Sequence, residues 1–277
     1  MRAPSIAFAC ALTVLSSNAL AVDPKLQTWA TGIVSAPSSI TLAYDSHTGQ
    51  ANTSASAYWH NGFTEGAASA YAAANYGSLG VYASGDSAGA AYTSAGATAS
   101  FLDVLTIGAP LGSTDEGGTL TIIVNVSGSR SGGDPNGRGT YNQLSGARLE
   151  MLDSSGYCNY DYCAFSFKDT GGTATFNVDF NYGVPFSVNL QLGGGTITDD
   201  WSRHTVLDYE HTASIGGMTV ASYDSLPVTG FTLVSASGHD YLAPAVPEPG
   251  IWALFTSGLL VVGSLARRRS SALCRPT

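Results

Sequence analysis

The chain has 277 residues, with 11 basic and 20 acidic side chains and a formal net charge of −9. An acidic protein repels nucleic-acid phosphates and anionic lipid, so this balance argues against a nucleic-acid-binding function. Glycine and tyrosine are abundant, at 33 and 14 residues, while only 11% of the residues are charged. This composition favours strands and tight turns over helices.

The N-terminus has the three parts of a secretory signal peptide. Arg2 supplies a positive charge, residues 6–15 form a short apolar segment, and Ala19 and Ala21 provide a small-residue cleavage site. We therefore predict a signal peptide over residues 1–21, which directs the chain to the Sec export machinery and is then removed.

Residues 22–245 are predicted to form one all-β domain, an antiparallel β-sandwich of jelly-roll-like type. Polar and apolar residues alternate with period two in several stretches, and turn residues separate these stretches, as two packed sheets require. The predicted strands cover residues 39–44, 99–107, 119–126, 147–152, 163–168, 173–180, 186–192, 205–212, 218–222 and 231–235.

Two of these strands are separated by a strong turn sequence. Residues 181–185 read Asn-Tyr-Gly-Val-Pro, and both flanking stretches alternate cleanly. A short turn between two alternating stretches is the usual signature of a β-hairpin. We therefore predict that residues 173–180 and 186–192 pair with each other.

The stretch from residue 66 to residue 100 has a composition of its own. It is rich in alanine, serine, glycine and tyrosine. Alanine alone would favour a helix, but the repeated glycine and serine residues disfavour a long one. We predict short strands whose small residues face inward.

The mature body is more acidic than the whole chain. Residues 22–249 hold all 20 acidic residues and only six of the basic ones, which gives a net charge near −14. Such a surface suits an extracellular protein and attracts divalent cations such as calcium. Asp134 and Asn136 resemble the start of a calcium loop, but Arg138 occupies the third ligand position, and a β-turn accounts for the segment. We predict no cofactor, with calcium as the alternative.

Cys158 and Cys163 are the two cysteines of the mature body. Export to an oxidising compartment makes a disulfide the expected state of such a pair. The alternative is a metal site, but two cysteines without nearby histidines do not complete a tetrahedral shell. We therefore predict a disulfide between Cys158 and Cys163.

The densest polar cluster begins at Asp199 and Asp200 and continues through a strand-like stretch. In a strand, His204, Asp208 and Glu210 share one face because their separations are even. Two carboxylates near a histidine could bind a divalent ion or perform acid–base chemistry. The alternative is a solvated strand face with the intervening apolar residues Leu207 and Tyr209 packed inward, and this alternative is our prediction. The four acidic residues remain the candidates for a metal site.

Aromatic residues next to turns and polar clusters offer a possible glycan contact. Exposed rings stack on sugar faces, although tyrosine and tryptophan also cover sandwich edges with their polar tips in water. We favour edge packing over a sugar platform for this set. Its members are Tyr58, Trp59, Tyr157, Tyr160, Tyr162 and Trp201.

The C-terminus combines a rigid polar tripeptide, an apolar run and a basic cluster. The tripeptide is Pro247, Glu248 and Pro249, and the uncharged run covers residues 251–266. As a helix the run would measure about 24 Å, enough to span a bilayer with local thinning. Arg267, Arg268 and Arg269 follow directly. Their charge predicts a transmembrane helix with the C-terminus in the cytoplasm.

These three parts, in this order at the end of the chain, resemble the PEP-CTERM protein-sorting signal, here over residues 246–277. The resemblance implies export across the inner membrane of a Gram-negative bacterium, transient anchoring by the C-terminal helix with the body in the periplasm, and removal of that helix by an exosortase. It also implies an association with exopolysaccharide.

Together, the sequence predicts a non-enzymatic protein of the cell surface or extracellular matrix, associated with exopolysaccharide or biofilm. One alternative is a carbohydrate-binding module. A second is a secreted glycan hydrolase that uses two of the clustered carboxylates, Asp199, Asp200, Asp208 or Glu210, as acid and base.

Overall fold

Alternation between inward apolar and outward polar residues produces strands throughout the part of the chain that the structure describes. This computed structural model describes residues 23–36, 39–49, 52–61, 64–89, 91–132, 145–152, 164–167, 170–199 and 203–243. Over these ranges it contains fourteen β-strands. In the same ranges no helix has the length and apolar character needed to cross a membrane.

The strands are β1 (Lys25–Ala36), β2 (Ser39–Thr48), β3 (Asn52–His60), β4 (Glu65–Asn75), β5 (Ser78–Ala88), β6 (Tyr92–Gly108), β7 (Gly117–Gly132), β8 (Ser145–Leu152), β9 (Ala164–Phe167), β10 (Thr170–Asn181), β11 (Phe186–Asp199), β12 (Arg203–Ser222), β13 (Pro227–Val228) and β14 (Thr232–Ser235).

The strands form two antiparallel sheets of seven strands each. The first sheet has the order β2-β1-β6-β11-β8-β9, with β14 paired to β6, and the second has the order β10-β7-β12-β5-β4-β3, with β13 paired to β12. Across the interior, β1 and β6 lie against β4, and β11 lies against β5 and β12. The prediction of an all-β, antiparallel, sandwich-like fold is confirmed. The chain divides into two units, Met1–Tyr241, which holds both sheets, and Leu242–Thr277.

One half of the interior is lined by small residues. Ala68, Ala70 and Ala72 of β4 alternate inward and are 1%, 3% and 0% exposed. Opposite them, a Cβ placed on Gly32 of β1 would lie 2.9 Å from the backbone oxygen of Ala68. The two backbones therefore touch here, with no room for a side chain at residue 32. Inward small residues were predicted for this stretch and are confirmed, but β4, β5 and β6 have 11, 11 and 17 residues and are not short.

The other half of the interior is filled by large side chains. Burial of the apolar surface of these side chains supplies the main driving force for folding, at about 25 cal/mol per Å² buried. The largest fully buried aliphatic and aromatic side chains here include Phe101, Leu105, Ile107, Leu120, Ile122, Leu149, Phe176, Leu190 and Leu192.

The predicted hairpin between residues 173–180 and 186–192 is wrong. β10 pairs with β7 in the second sheet, whereas β11 pairs with β6 and β8 in the first. The connecting turn therefore carries the chain from one sheet to the other. Each strand turns its apolar face toward the interior, where the rings of Phe180 and Phe186 stack with centroids 6.0 Å apart. Two faces that bury against each other across the core give the same alternation as two paired strands.

The other predicted strands all overlap observed ones, with one change. Residues 205–212 and 218–222 were predicted as separate strands, but both belong to the 20-residue strand β12. Its pairing is irregular between Tyr209 and Ala213 with β5, and between Asp208 and Ala213 and again between Ile215 and Gly217 with β7. Such an irregularity breaks the two-residue period locally, which made one strand resemble two.

Candidate functional site

The predicted acidic strand face is exposed on the outside of the second sheet. His204, Asp208 and Glu210 point outward, while Leu207 and Tyr209 are fully buried. The prediction of a solvated strand face is therefore confirmed. Such a face lies open to water, which screens its charges and weakens acid–base chemistry there.

His204 has a partner on the neighbouring strand. Its register partner is Asp86 on β5, and its Nδ1 forms a hydrogen bond with an oxygen of that carboxylate. The two side chains are 60% and 54% exposed. A polar contact this exposed contributes at most about 1 kcal/mol to stability.

The acidic residues predicted as metal candidates do not form a metal site within the described part of the chain. No group of three histidine, cysteine, aspartate or glutamate side chains is arranged to hold a metal ion within the described ranges. Asp199 is the last residue of β11. The remaining candidates, Asp200, the segment 134–139, Cys158 and Cys163, lie outside the described residues.

The most tightly bonded polar group is Asp103, which the sequence did not single out. It lies in β6 between apolar neighbours, points inward and is 0% exposed. Its Oδ2 accepts hydrogen bonds from the hydroxyls of Ser235 and Ser237 at 2.6 Å and of Tyr241 at 2.7 Å. Its Oδ1 accepts hydrogen bonds from the backbone N–H groups of Val104 at 2.8 Å and Ser237 at 3.1 Å. Five donors therefore replace the water that this carboxylate loses on burial.

These donors place residues 232–241, which we call the C-terminal strap, against the end of the core. β14 of the strap pairs with β6. The ring of Tyr241 stacks on that of Phe101, with centroids 6.5 Å apart and planes at 25°. Burial raises the pKa of the Tyr241 phenol, and its hydrogen bond to Asp103 and the negative charge of that carboxylate raise it further. The phenol therefore stays a donor through the neutral and mildly alkaline range.

The aromatic residues proposed from the sequence divide into two groups. Tyr58 is 60% exposed, and its hydroxyl donates a 3.2 Å hydrogen bond to Glu65. Trp59 is partly buried and packs against the core, as the edge-packing interpretation predicts. The other four, Tyr157, Tyr160, Tyr162 and Trp201, lie outside the described residues.

A different aromatic residue, Trp29, occupies the outer face of the first sheet. Its ring meets the edge of the Tyr44 ring, with centroids 6.1 Å apart and planes at 65°. A Cβ placed on Gly96 would lie 3.5 Å from Cζ3 of Trp29, so the indole lies against the Gly96 backbone. Alternation in β1 was the available signal, because Gln27, Trp29 and Thr31 all face outward opposite buried Thr28 and Ala30.

Two adjacent rows of uncharged residues, one of which contains Trp29, cross the outer face of the first sheet, and we call these two rows the Trp29 face. Strand register defines them, since residues paired across antiparallel strands lie on the same side of a sheet. The first row runs through Thr48, Gln27, Ser100 and Gln191. The second row runs through Ser46, Trp29, Thr98 and Gly193.

The Trp29 face contains a shallow groove of about 230 Å³. Its outward side chains are one indole, two primary amides and several hydroxyls. Amides and hydroxyls both donate and accept hydrogen bonds, so the groove is suited to a polyhydroxylated ligand without formal charge. No protein-family model matches this chain, and no curated protein matches it either. The Trp29 face therefore has to be interpreted from its own chemistry.

Proposed function

We propose that this is an exported, non-enzymatic protein of the cell surface or extracellular matrix, delivered by the Sec machinery and released by an exosortase. The observation that carries the proposal is the order of three C-terminal features: the tripeptide Pro247–Pro249, the uncharged run over residues 251–266 and the cluster Arg267–Arg269. The signal peptide over residues 1–21 supports it from the other end of the chain.

In this proposal the inner membrane holds the chain only for a time. The apolar run inserts as a helix, the arginines hold its end in the cytoplasm, and the acidic body stands in the periplasm. Exosortase cleavage near the tripeptide then frees the body to join exopolysaccharide outside the cell. The Cys158–Cys163 disulfide and the jelly-roll-like relation of the sheets belong to the same proposal.

The outer faces of the sheets support a role in a hydrated matrix. On β7 and β10, Thr119 donates a 2.8 Å hydrogen bond to Asp179, and Thr121 donates one of 2.9 Å to Asn177. Both pairs stand on the solvent side of the second sheet. Cross-strand polar pairs of this kind hold a sheet together while leaving a wettable surface.

The test is the intact mass and location of the product in host cells with and without the exosortase. We expect a mature species that begins at Val22, lacks the residues from Ile251 onward, and appears outside the inner membrane only when the exosortase is present. Two variants separate signal recognition from folding. The first is the double variant Pro247→Ala, Pro249→Ala in the tripeptide, and the control is Pro227→Ala in β13. Full retention of the tail in a competent host would contradict the proposal.

A second candidate function, carbohydrate binding, is favoured by the Trp29 face. An outward-facing, half-buried ring set among amides and hydroxyls is an arrangement that recognises sugars, because sugars offer both apolar C–H faces and hydroxyl groups. This candidate is compatible with the first, since a matrix protein that binds the matrix polysaccharide would serve both roles.

A further inference from the structure

We propose that the Trp29 face binds a chain of neutral sugars, with Trp29 as the stacking platform and Gln27 and Gln191 as the polar contacts. This inference deepens the carbohydrate-binding role proposed above and rests on it for its biological setting. Its physical basis is the arrangement of the described residues alone.

Trp29 has neighbours on two strands that restrict its ring. The indole meets Tyr44 of β2 at a centroid distance of 6.1 Å, and a Cβ placed on Gly96 of β6 would lie 3.5 Å from its Cζ3. A ring restricted in this way loses less conformational entropy when a ligand stacks on it than a free ring does. The negative face of the indole attracts the weakly positive C–H groups on the flat side of a pyranose.

One polar contact lies on the strand that carries the ring, and the other lies two strands away. Gln27 is the register partner of Ser100 on β6, and Ser100 is the register partner of Gln191 on β11. The two amides therefore lie in one row, two strands apart, or about 10 Å at the usual strand spacing. A row of that length accommodates successive sugar units better than a single small molecule.

Charge selects a neutral ligand. The outward side chains of the groove carry no formal charge, and the mature body has six basic residues against 20 acidic ones. Arg148 and Glu150 on β8, the register partners of Gly193 and Gln191, form a 2.6 Å ion pair with each other, and Lys25 lies on the same outward face two residues before Gln27 on β1. The acidic excess of the body repels a polyuronate, and Lys25 offsets that repulsion only in part.

A second copy of the chain is the competing occupant. β2 is an edge strand, and its outward residues Ile40, Leu42 and Tyr44 are 73%, 64% and 60% exposed. Exposed apolar residues on an edge strand favour pairing with another chain. The neutral polar rows beside Trp29 favour the glycan, because a self-association surface would bury amides and hydroxyls without matched partners.

The test measures sugar binding directly with the full-length chain in nanodiscs. The probes are cellohexaose, mannohexaose and isomaltohexaose as neutral hexasaccharides and a galacturonate hexamer as the anionic one, with the heat of binding in isothermal titration calorimetry as the readout. We expect at least one neutral probe to give a saturable binding isotherm and the anionic probe to bind more weakly. Trp29→Ala should weaken neutral binding by about tenfold or more, as removal of a central tryptophan anchor does.

Two further variants guard against misfolding. Gln27→Glu keeps the side-chain volume and adds one negative charge to the groove opposite the uncharged Thr48 and Ser100, and it should weaken neutral binding by about fivefold without changing the thermal midpoint. Trp59→Phe, a change at a partly buried tryptophan of the second sheet, should leave binding unchanged. Sedimentation of the same samples reports self-association.

The proposal is overturned if no neutral probe binds, if the anionic probe binds more tightly, or if Trp29→Ala binds like the wild type. It is also overturned if Trp29→Ala abolishes self-association and leaves sugar binding intact. Because the nanodisc assay does not involve export, a negative result here leaves the exosortase test unaffected, and the reverse also holds.

Discussion

The hydroxyl of Tyr241 donates a 2.7 Å hydrogen bond to Oδ2 of Asp103, a residue 138 positions earlier in the chain. Both side chains are buried, at 7% and 0% exposure. The bond ties the C-terminal strap to the middle of the central strand β6. The strap and the first sheet therefore stabilise each other, and the last described part of the chain is part of the folded core.

Tyr241→Phe tests this bond with little change in volume. The substitution removes one donor from a buried carboxylate, so we expect the free energy of unfolding to fall by about 1–3 kcal/mol. Urea unfolding followed by circular dichroism measures it. Tyr223→Phe is the matched control, because its 3.0 Å hydrogen bond to the Phe180 carbonyl comes from a side chain that is 59% exposed. Equal losses of unfolding free energy in the two variants would show that the buried hydrogen bond stabilises the fold no more than the exposed one.

The same phenol predicts a loss of stability in alkali. The folded pKa of Tyr241 lies above its ordinary value of 10.0, first because of burial and then because of Asp103. Its stabilising contribution is complete below pH 10 and declines above it, since the unfolded chain releases this proton while the folded chain retains it. The slope for one group reaches about 1.4 kcal/mol per pH unit. The free energy of unfolding, measured at a series of pH values above 10, should fall less steeply with pH in Tyr241→Phe than in the wild type. Equal slopes in the two proteins would refute the raised pKa of Tyr241.

The alternation of residues predicted most strands because period two reports which face of a strand is buried. Residues 119–126 and 173–180 are strands for this reason. Alternation does not report which sheet receives the strand, so β10 and β11 were wrongly paired with each other. The strands that flank a turn alternate between buried and exposed residues in the same way whether the turn stays within one sheet or connects two sheets.

The sites were less predictable because their parts are distant in sequence. Asp103 looked like an isolated acid in an apolar strand, and its donors Ser235, Ser237 and Tyr241 lie more than 130 residues away. Trp29 likewise has its neighbours Tyr44 and Gly96 on two other strands, β2 and β6, which only strand order brings beside it. The solvated character of Asp208 and Glu210 was predictable, since it depends only on alternation within β12.

The close approach of the sheets at Gly32 makes a third prediction. A Cβ there would lie 2.9 Å from the Ala68 carbonyl oxygen and 3.3 Å from the Ala57 nitrogen, both backbone atoms. Backbone cannot rotate away as a side chain can, so Gly32→Ala should cost about 1–3 kcal/mol by overpacking. Gly217→Ala in β12 is the control, because a Cβ there meets nothing within 4 Å. A thermal shift for Gly32→Ala no larger than that of the control would contradict the backbone contact.

The glycan-hydrolase alternative is tested by Asp208→Asn combined with Glu210→Gln. Asp208 accepts a 3.3 Å hydrogen bond from the backbone N–H of Glu210, and both side chains are exposed. Because both carboxylates are exposed, their loss should change the free energy of unfolding by no more than about 1 kcal/mol. If they performed acid–base chemistry, the double variant would lose an activity that the wild type has. We expect neither protein to release reducing ends from the three neutral hexasaccharides, measured over days at pH 5 to 8. Cleavage by the wild type that the double variant lacks would establish a hydrolase and displace the non-enzymatic proposal.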